Sequence, residues 1–166
     1  MPSRSEIERA ATKLRKDARV DEQLPVPLEE IAKSLGFESI GFEPTMDNPD
    51  TALISGMIDY AKKKIFVNTT QSLERQRFTL AHEIGHAYLH MDQGRLPAIV
   101  DFRADMDHPR SEKEKEANQF AAALLMPREP FVRQWLQWKG DIDTLGKIFG
   151  ASRQAVEIRQ DSTVKP

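Results

Sequence analysis

His82 and His86 stand four residues apart in the stretch "FTLAHEIGHAYLH", residues 78–90. On an α-helix that spacing stacks two imidazoles nearly one above the other, so both can reach one point in space. A tetrahedral Zn²⁺ can take two of its ligands in this way. Glu83 is one residue on, about 100° around the helix, where it can flank such an ion without ligating it. A carboxylate there can accept a proton from a water whose pKa the metal lowers to roughly 7. It can then hand that proton to a leaving amine. The HExxH pattern therefore points to metal-assisted hydrolysis rather than to two polar positions that share a helix face. Gly85 suits this reading by removing side-chain bulk beside the ligands.

A catalytic zinc also needs a third protein ligand and an open fourth position. The strongly helical segment from Ser111 to Met126 offers Glu112, Glu114 and Glu116. Projected at 100° per residue, Glu114 falls within about 20° of Ala121 and shares a face with Ala117, Asn118 and Leu125. The small residues Ala117 and Ala121 would let this helix approach the first one closely. Glu116 falls about 140° from Ala121, on the Phe120 side, and Glu112 is displaced as well. Glu114 is the candidate ligand, and the other two glutamates are expected in solvent. Asn118, one turn on, can hydrogen-bond the free ring nitrogen of a ligand histidine. His90 continues the ladder from His86 but is turned about 80° from His82, which suits a surface or supporting role. His108 and Asp101 lie between the two helices and could close over the site.

These residues need elements to hold them. An amphipathic helix is expected over residues 3–19, with Ile7, Ala10, Ala11 and Leu14 on its apolar side. A second is expected through Leu28, Ile31, Ala32 and Leu35, closed by Gly36. "TALISGMIDY" (51–60) and "KKIFVNT" (63–69) read as an antiparallel hairpin. An edge strand of that hairpin, beside the metal helix, could pair with an extended peptide. Ile58 and Tyr60 are its candidate groove residues, with a core role favoured for Ile58. Arg77, Tyr88 and Tyr60 are all open as oxyanion donors. The metal helix is expected from residues 70–72 to about Met91, with Leu73, Leu80, Ile84, Ala87 and Tyr88 as its apolar stripe. Residues 93–112 read as a long polar loop. After Pro127 and Pro130, three short helices broken at Gly140 and Gly150 are expected, with Trp135 and Trp138 as core anchors.

The composition narrows the function. The chain has 166 residues, 39% hydrophobic and 30% charged, with a formal net charge of −2. That balance fits a folded soluble protein and offers no overall field for nucleic acid or an anionic membrane. Without cysteine, any metal must be held by His, Asp or Glu. The N-terminus has no signal-peptide core, and the longest apolar run, residues 120–126, is too short to span a bilayer. A cytoplasmic location is expected. The segment from Gly140 to Pro166 has a helix-turn-helix pattern. Its basic residues Lys147, Arg153, Arg159 and Lys165 are balanced by Asp141, Asp143, Glu157 and Asp161. A structural helical pair is expected, one that could help dock a repressor, and not direct nucleic-acid binding.

"RFTLAHEIGHAYLH" followed by "EKEANQFAAALLMP", with the preceding "IFVN", closely resembles the ImmA/IrrE family of zinc metallopeptidases. "VPLEEIAKSLGF" and "LGKIFGASRQAVEIR" also look like parts of such proteins. The resemblance implies a gluzincin-like site with His82, His86 and Glu114 on zinc and Glu83 as general base. Many gluzincins carry Asp four residues after the ligand Glu; here Asn118 would orient its partner as a neutral amide. Family members are similar in cleaving or antagonising helix-turn-helix transcriptional repressors, often ones that control mobile elements or stress genes. The expected protein is an α+β metallopeptidase domain over residues 1–166. N-terminal helices (1–36) would precede the sheet and zinc-binding helices (37–127) and a C-terminal helical segment (128–166). Any regulator is expected to be a separate molecule. The expected function is zinc-dependent endopeptidase action on such a repressor; the alternative is a zinc-containing anti-repressor that sequesters its partner without hydrolysis.

Overall fold

The computed structural model describes residues 2–90, 98–102 and 111–164, with 98–102 described as backbone only. Helix α1 (Arg4–Asp17) starts at a capping box, in which Ser3 caps the Glu6 amide and Glu6 answers the Ser3 amide. Its apolar side buries Ile7, Ala11 and Leu14 against the chain that follows. Helix α2 (Leu28–Ser34) is closed by Gly36, whose φ of 82° favours glycine.

Strands β1 (Glu38–Phe42), β2 (Ile54–Asp59), β3 (Lys64–Asn68) and β4 (Ala98–Phe102) form one sheet in the order β1-β3-β2-β4. The expected hairpin is present, with Ile58 opposite Ile65 and Gly56 opposite Val67. Neither of its strands is a sheet edge, however. Strand β1 pairs in parallel with β3, Ser39 opposite Ile65, and β4 pairs antiparallel with β2, Ile58 opposite Ile99. The α+β class holds. The sheet is larger than the hairpin, and one of its three pairings is parallel. Strand β4 also falls within the stretch expected to be a loop; five residues of "AIVDF" are easily lost among polar neighbours. Ile58 is core, as favoured.

Helix α3 (Leu73–His90) begins where the Ser72 hydroxyl accepts from the Arg75 amide at 3.2 Å. From Thr79 to Ala87 every residue is buried, so α3 runs through the interior rather than along a surface. Leu73, expected in its apolar stripe, is 74% exposed because that first turn projects beyond the core. Helix α4 (Glu112–Leu125), capped by Ser111, packs along α3 and also against α1. Helices α5 (Arg128–Gln137), α6 (Ile142–Phe149) and α7 (Arg153–Thr163) follow with breaks near the expected glycines. Phe131 anchors this part, 5.6 Å from Phe149 and stacked 6.1 Å from Trp135. Trp138 is not a core anchor, being 45% exposed at the end of α5. Among the described residues no helix is long and apolar enough to cross a membrane.

Candidate metal centre

Two helices packed side by side build the site. His82 and His86 lie one turn apart on α3, and Glu114 reaches them from the first turn of α4. The helices can approach because Gly85 faces the Ala117 backbone and the Phe120 ring. A Cβ on Gly85 would sit 3.3 Å from both. The absent side chain thus serves the approach of α4, and only through it the space beside the histidines.

The three side chains converge. His82 Nε2 and His86 Nε2 are 3.0 Å apart, and the Glu114 carboxylate lies 3.2 Å from the first and 3.1 Å from the second. Donors at about 2.0–2.1 Å from a tetrahedral zinc would stand about 3.3 Å from one another, so the spacing suits such an ion. Contacts with His82 and then His86 hold the Glu114 carboxyl well below the usual carboxylate range. Burial pushes the His86 imidazole down, toward its neutral form. A carboxylate and a neutral imidazole are what a metal requires of its ligands. The histidines are fully sheltered, whereas the Glu114 side chain is 32% exposed.

Supporting contacts surround the cluster. The His82 Nδ1 lies 3.0 Å from the Asn118 side-chain oxygen, as the spacing on α4 anticipated. The His86 Nδ1 lies 3.1 Å from the His90 Nδ1, and His90 Nε2 lies 2.9 Å from Glu116 Oε2. His90 is therefore a buried supporting residue. Glu116 is not the solvated residue expected, since its side chain is only 14% exposed. Glu112 is exposed and pairs with Lys115 at 2.9 Å.

Glu83 is fully buried and is not one of the converging donors. Its Oε1 lies 3.2 Å from where a Cβ on Gly56 would stand, and the Thr79 methyl lies 2.4 Å from the same point. Gly56 therefore makes the room in β2 that Glu83 and Thr79 fill. The sequence reading missed that role; a glycine inside a strand pattern, which can mark a close approach, was its signal. Among the oxyanion candidates, Arg77 donates to the carbonyls of Gly150 and Val26, and Tyr88 packs on Phe120. Both are committed to the scaffold. The Tyr60 phenol is pushed up to about 12 by burial and, second, by the charge of Glu83. His108 and the Asp101 side chain lie outside the described residues.

Residues 42–160 match the IrrE N-terminal-like domain family, Peptidase_M78. The chain is 43% identical over 84 residues to the radiation response metalloprotease IrrE of Deinococcus radiodurans, covering 49% of this chain and 24% of that protein. It is 43% identical over 74 residues to the protein of the same name from Deinococcus deserti, covering 45% and 26%. The matched stretches thus span about a quarter of each relative. A Mycobacterium tuberculosis transcriptional regulator shares the fold, with a TM-score of 0.65 at 22% identity over 98% of this chain and 48% of that one.

Proposed function

This chain belongs to the IrrE N-terminal-like domain family of peptidases, and from that premise we propose that it is a zinc-dependent endopeptidase acting on a protein substrate. The observation that carries the reading is the convergence of His82, His86 and Glu114 on one point beside the buried Glu83. Among the described residues three protein donors converge, which matches a catalytic zinc site better than a structural one, which is closed by four.

In this reading His82, His86 and Glu114 hold the ion. Bound zinc would supply Lewis acidity, lowering the pKa of a water and polarising the scissile carbonyl. Glu83 acts as general base, taking the proton of the attacking water and delivering it to the leaving nitrogen. Its enclosure by β2 fixes the carboxylate without a place in the ligand set. Asn118 orients the His82 ring through Nδ1. Because both flanks of the hairpin are paired, an extended substrate would lie along an outer edge of the sheet, at β1 or β4, or displace one of those strands.

The substrate class proposed is a helix-turn-helix transcriptional repressor, which would place the reaction in the cytoplasm. It rests on the resemblance of the two helical segments to ImmA/IrrE proteins. The test mixes zinc-loaded protein with a purified repressor of this class encoded beside its gene and follows intact masses. Two new masses that sum to the repressor plus one water, absent after chelation, are expected. A stable complex with an unchanged repressor mass would instead identify a sequestering anti-repressor.

A further inference from the structure

We propose that Glu116 and His90 form a buried relay that sets the tautomer of His86 and thereby prepares its Nε2 to bind the metal. The inference rests on the metal-centre reading above.

The Glu116 carboxylate has no proton to give, so at 2.9 Å from its Oε2 the His90 Nε2 must be the donor. An imidazole that carries its single proton on Nε2 has a bare Nδ1. That nitrogen lies 3.1 Å from the His86 Nδ1, which must then donate to it. With the metal bound, this order leaves His86 Nε2, the atom 3.0 Å from His82 Nε2 and 3.1 Å from the Glu114 carboxylate, bare to ligate; without it, that carboxylate draws a proton onto the same nitrogen. The order of protons along Glu116, His90 and His86 thus points one lone pair at the ion. Burial strengthens the constraint, since His86 is fully buried, His90 is 4% exposed, and no solvent competes for the ring nitrogens.

The two ligand histidines are consequently backed in different ways. His82 has a neutral amide behind it, whereas His86 has a negative charge passed through a second imidazole. A supporting carboxylate raises the basicity of a ligand histidine, and losing such a partner costs about 10–100-fold in metal affinity. The bland reading, that Glu116–His90 merely ties α4 to α3, makes no claim on the metal.

Zinc affinity would be measured by chelator competition for the wild type, Glu116→Ala, Glu116→Gln, His90→Phe and the exposed control Glu112→Ala, each checked for helix content. Glu116→Ala and His90→Phe are expected to weaken binding about tenfold or more. Glu116→Gln, which keeps an acceptor but loses the charge, should fall between them and the wild type, and the control should match the wild type. Long-range ¹H–¹⁵N spectra of the zinc-loaded wild type should show His90 protonated on Nε2 and bare on Nδ1. A His90 protonated on Nδ1 overturns the relay even if a variant fails to fold. Unchanged affinity in Glu116→Ala overturns it while leaving the metal centre standing. A wild type that binds no zinc overturns both.

Discussion

Glu114 and His86 titrate in a way that ties the fold to pH before any metal is added. The Glu114 carboxyl is held low by His82 and His86, and the His86 imidazole is lowered by burial. Both folded-state values lie below the unfolded ones, about 4.3 for Glu and 6.5 for His. Each therefore stabilises the metal-free fold above its unfolded value and loses that contribution as pH falls through its folded one. Urea midpoints of the metal-free protein should decline from about pH 6.5 downward, with His86 contributing first and Glu114 later. A profile flat from about pH 7 to 4 would contradict these assignments. At this scale His82, His86 and Glu114 were legible because helical spacing alone aims them. Glu116 was not. Projecting one helix says where its side chains point, but not that a second helix brings His90 to meet the residue that points elsewhere.

The contact of α3 with α4 carries the site, and it depends on residues that have no side chain to offer. Gly85→Leu would force α4 away from α3 at Ala117 and Phe120. We expect a loss of about 1–3 kcal/mol in chemical denaturation, with weakened zinc binding alongside, because Glu114 moves with α4. On the other flank, Gly56→Ala would drive a methyl into Thr79 and crowd Glu83. A loss of similar size is expected, about 1–3 kcal/mol, and Thr79→Ser in the same chain should restore part of it by removing the offending methyl. No recovery in the double variant would mean that Thr79 is not the obstacle. The helices were legible from their apolar periodicity and caps, and the hairpin from its two β-branched runs. Strands β1 and β4 were not, since each is five residues long and its status depends on the partner strand that pairs with it. The sheet edge was misplaced for that reason.

Across the whole molecule, the C-terminal helices are tied to the rest through two arginines. Arg159 of α7 is buried, pairs with Glu8 of α1, and donates from Nε to the Met126 carbonyl at 2.8 Å. Arg77 of α3 reaches the turn between α6 and α7 at Gly150. Arg159→Ala should therefore destabilise the whole fold by about 3 kcal/mol, seen as one cooperative shift in denaturant midpoint. A separate early transition of α5–α7 would contradict that coupling. The sequence showed three helices here with balanced charge, but not that a buried arginine would bind the last to the first, 151 residues away. The central claim is that Glu83 serves the chemistry and not the binding of the metal. It is tested most directly by comparing wild type with Glu83→Gln for bound zinc and for substrate cleavage in the same samples. One zinc per chain in both proteins, with cleavage in the wild type alone, is the expected result. A Glu83→Gln protein that still cuts at the wild-type rate would contradict it.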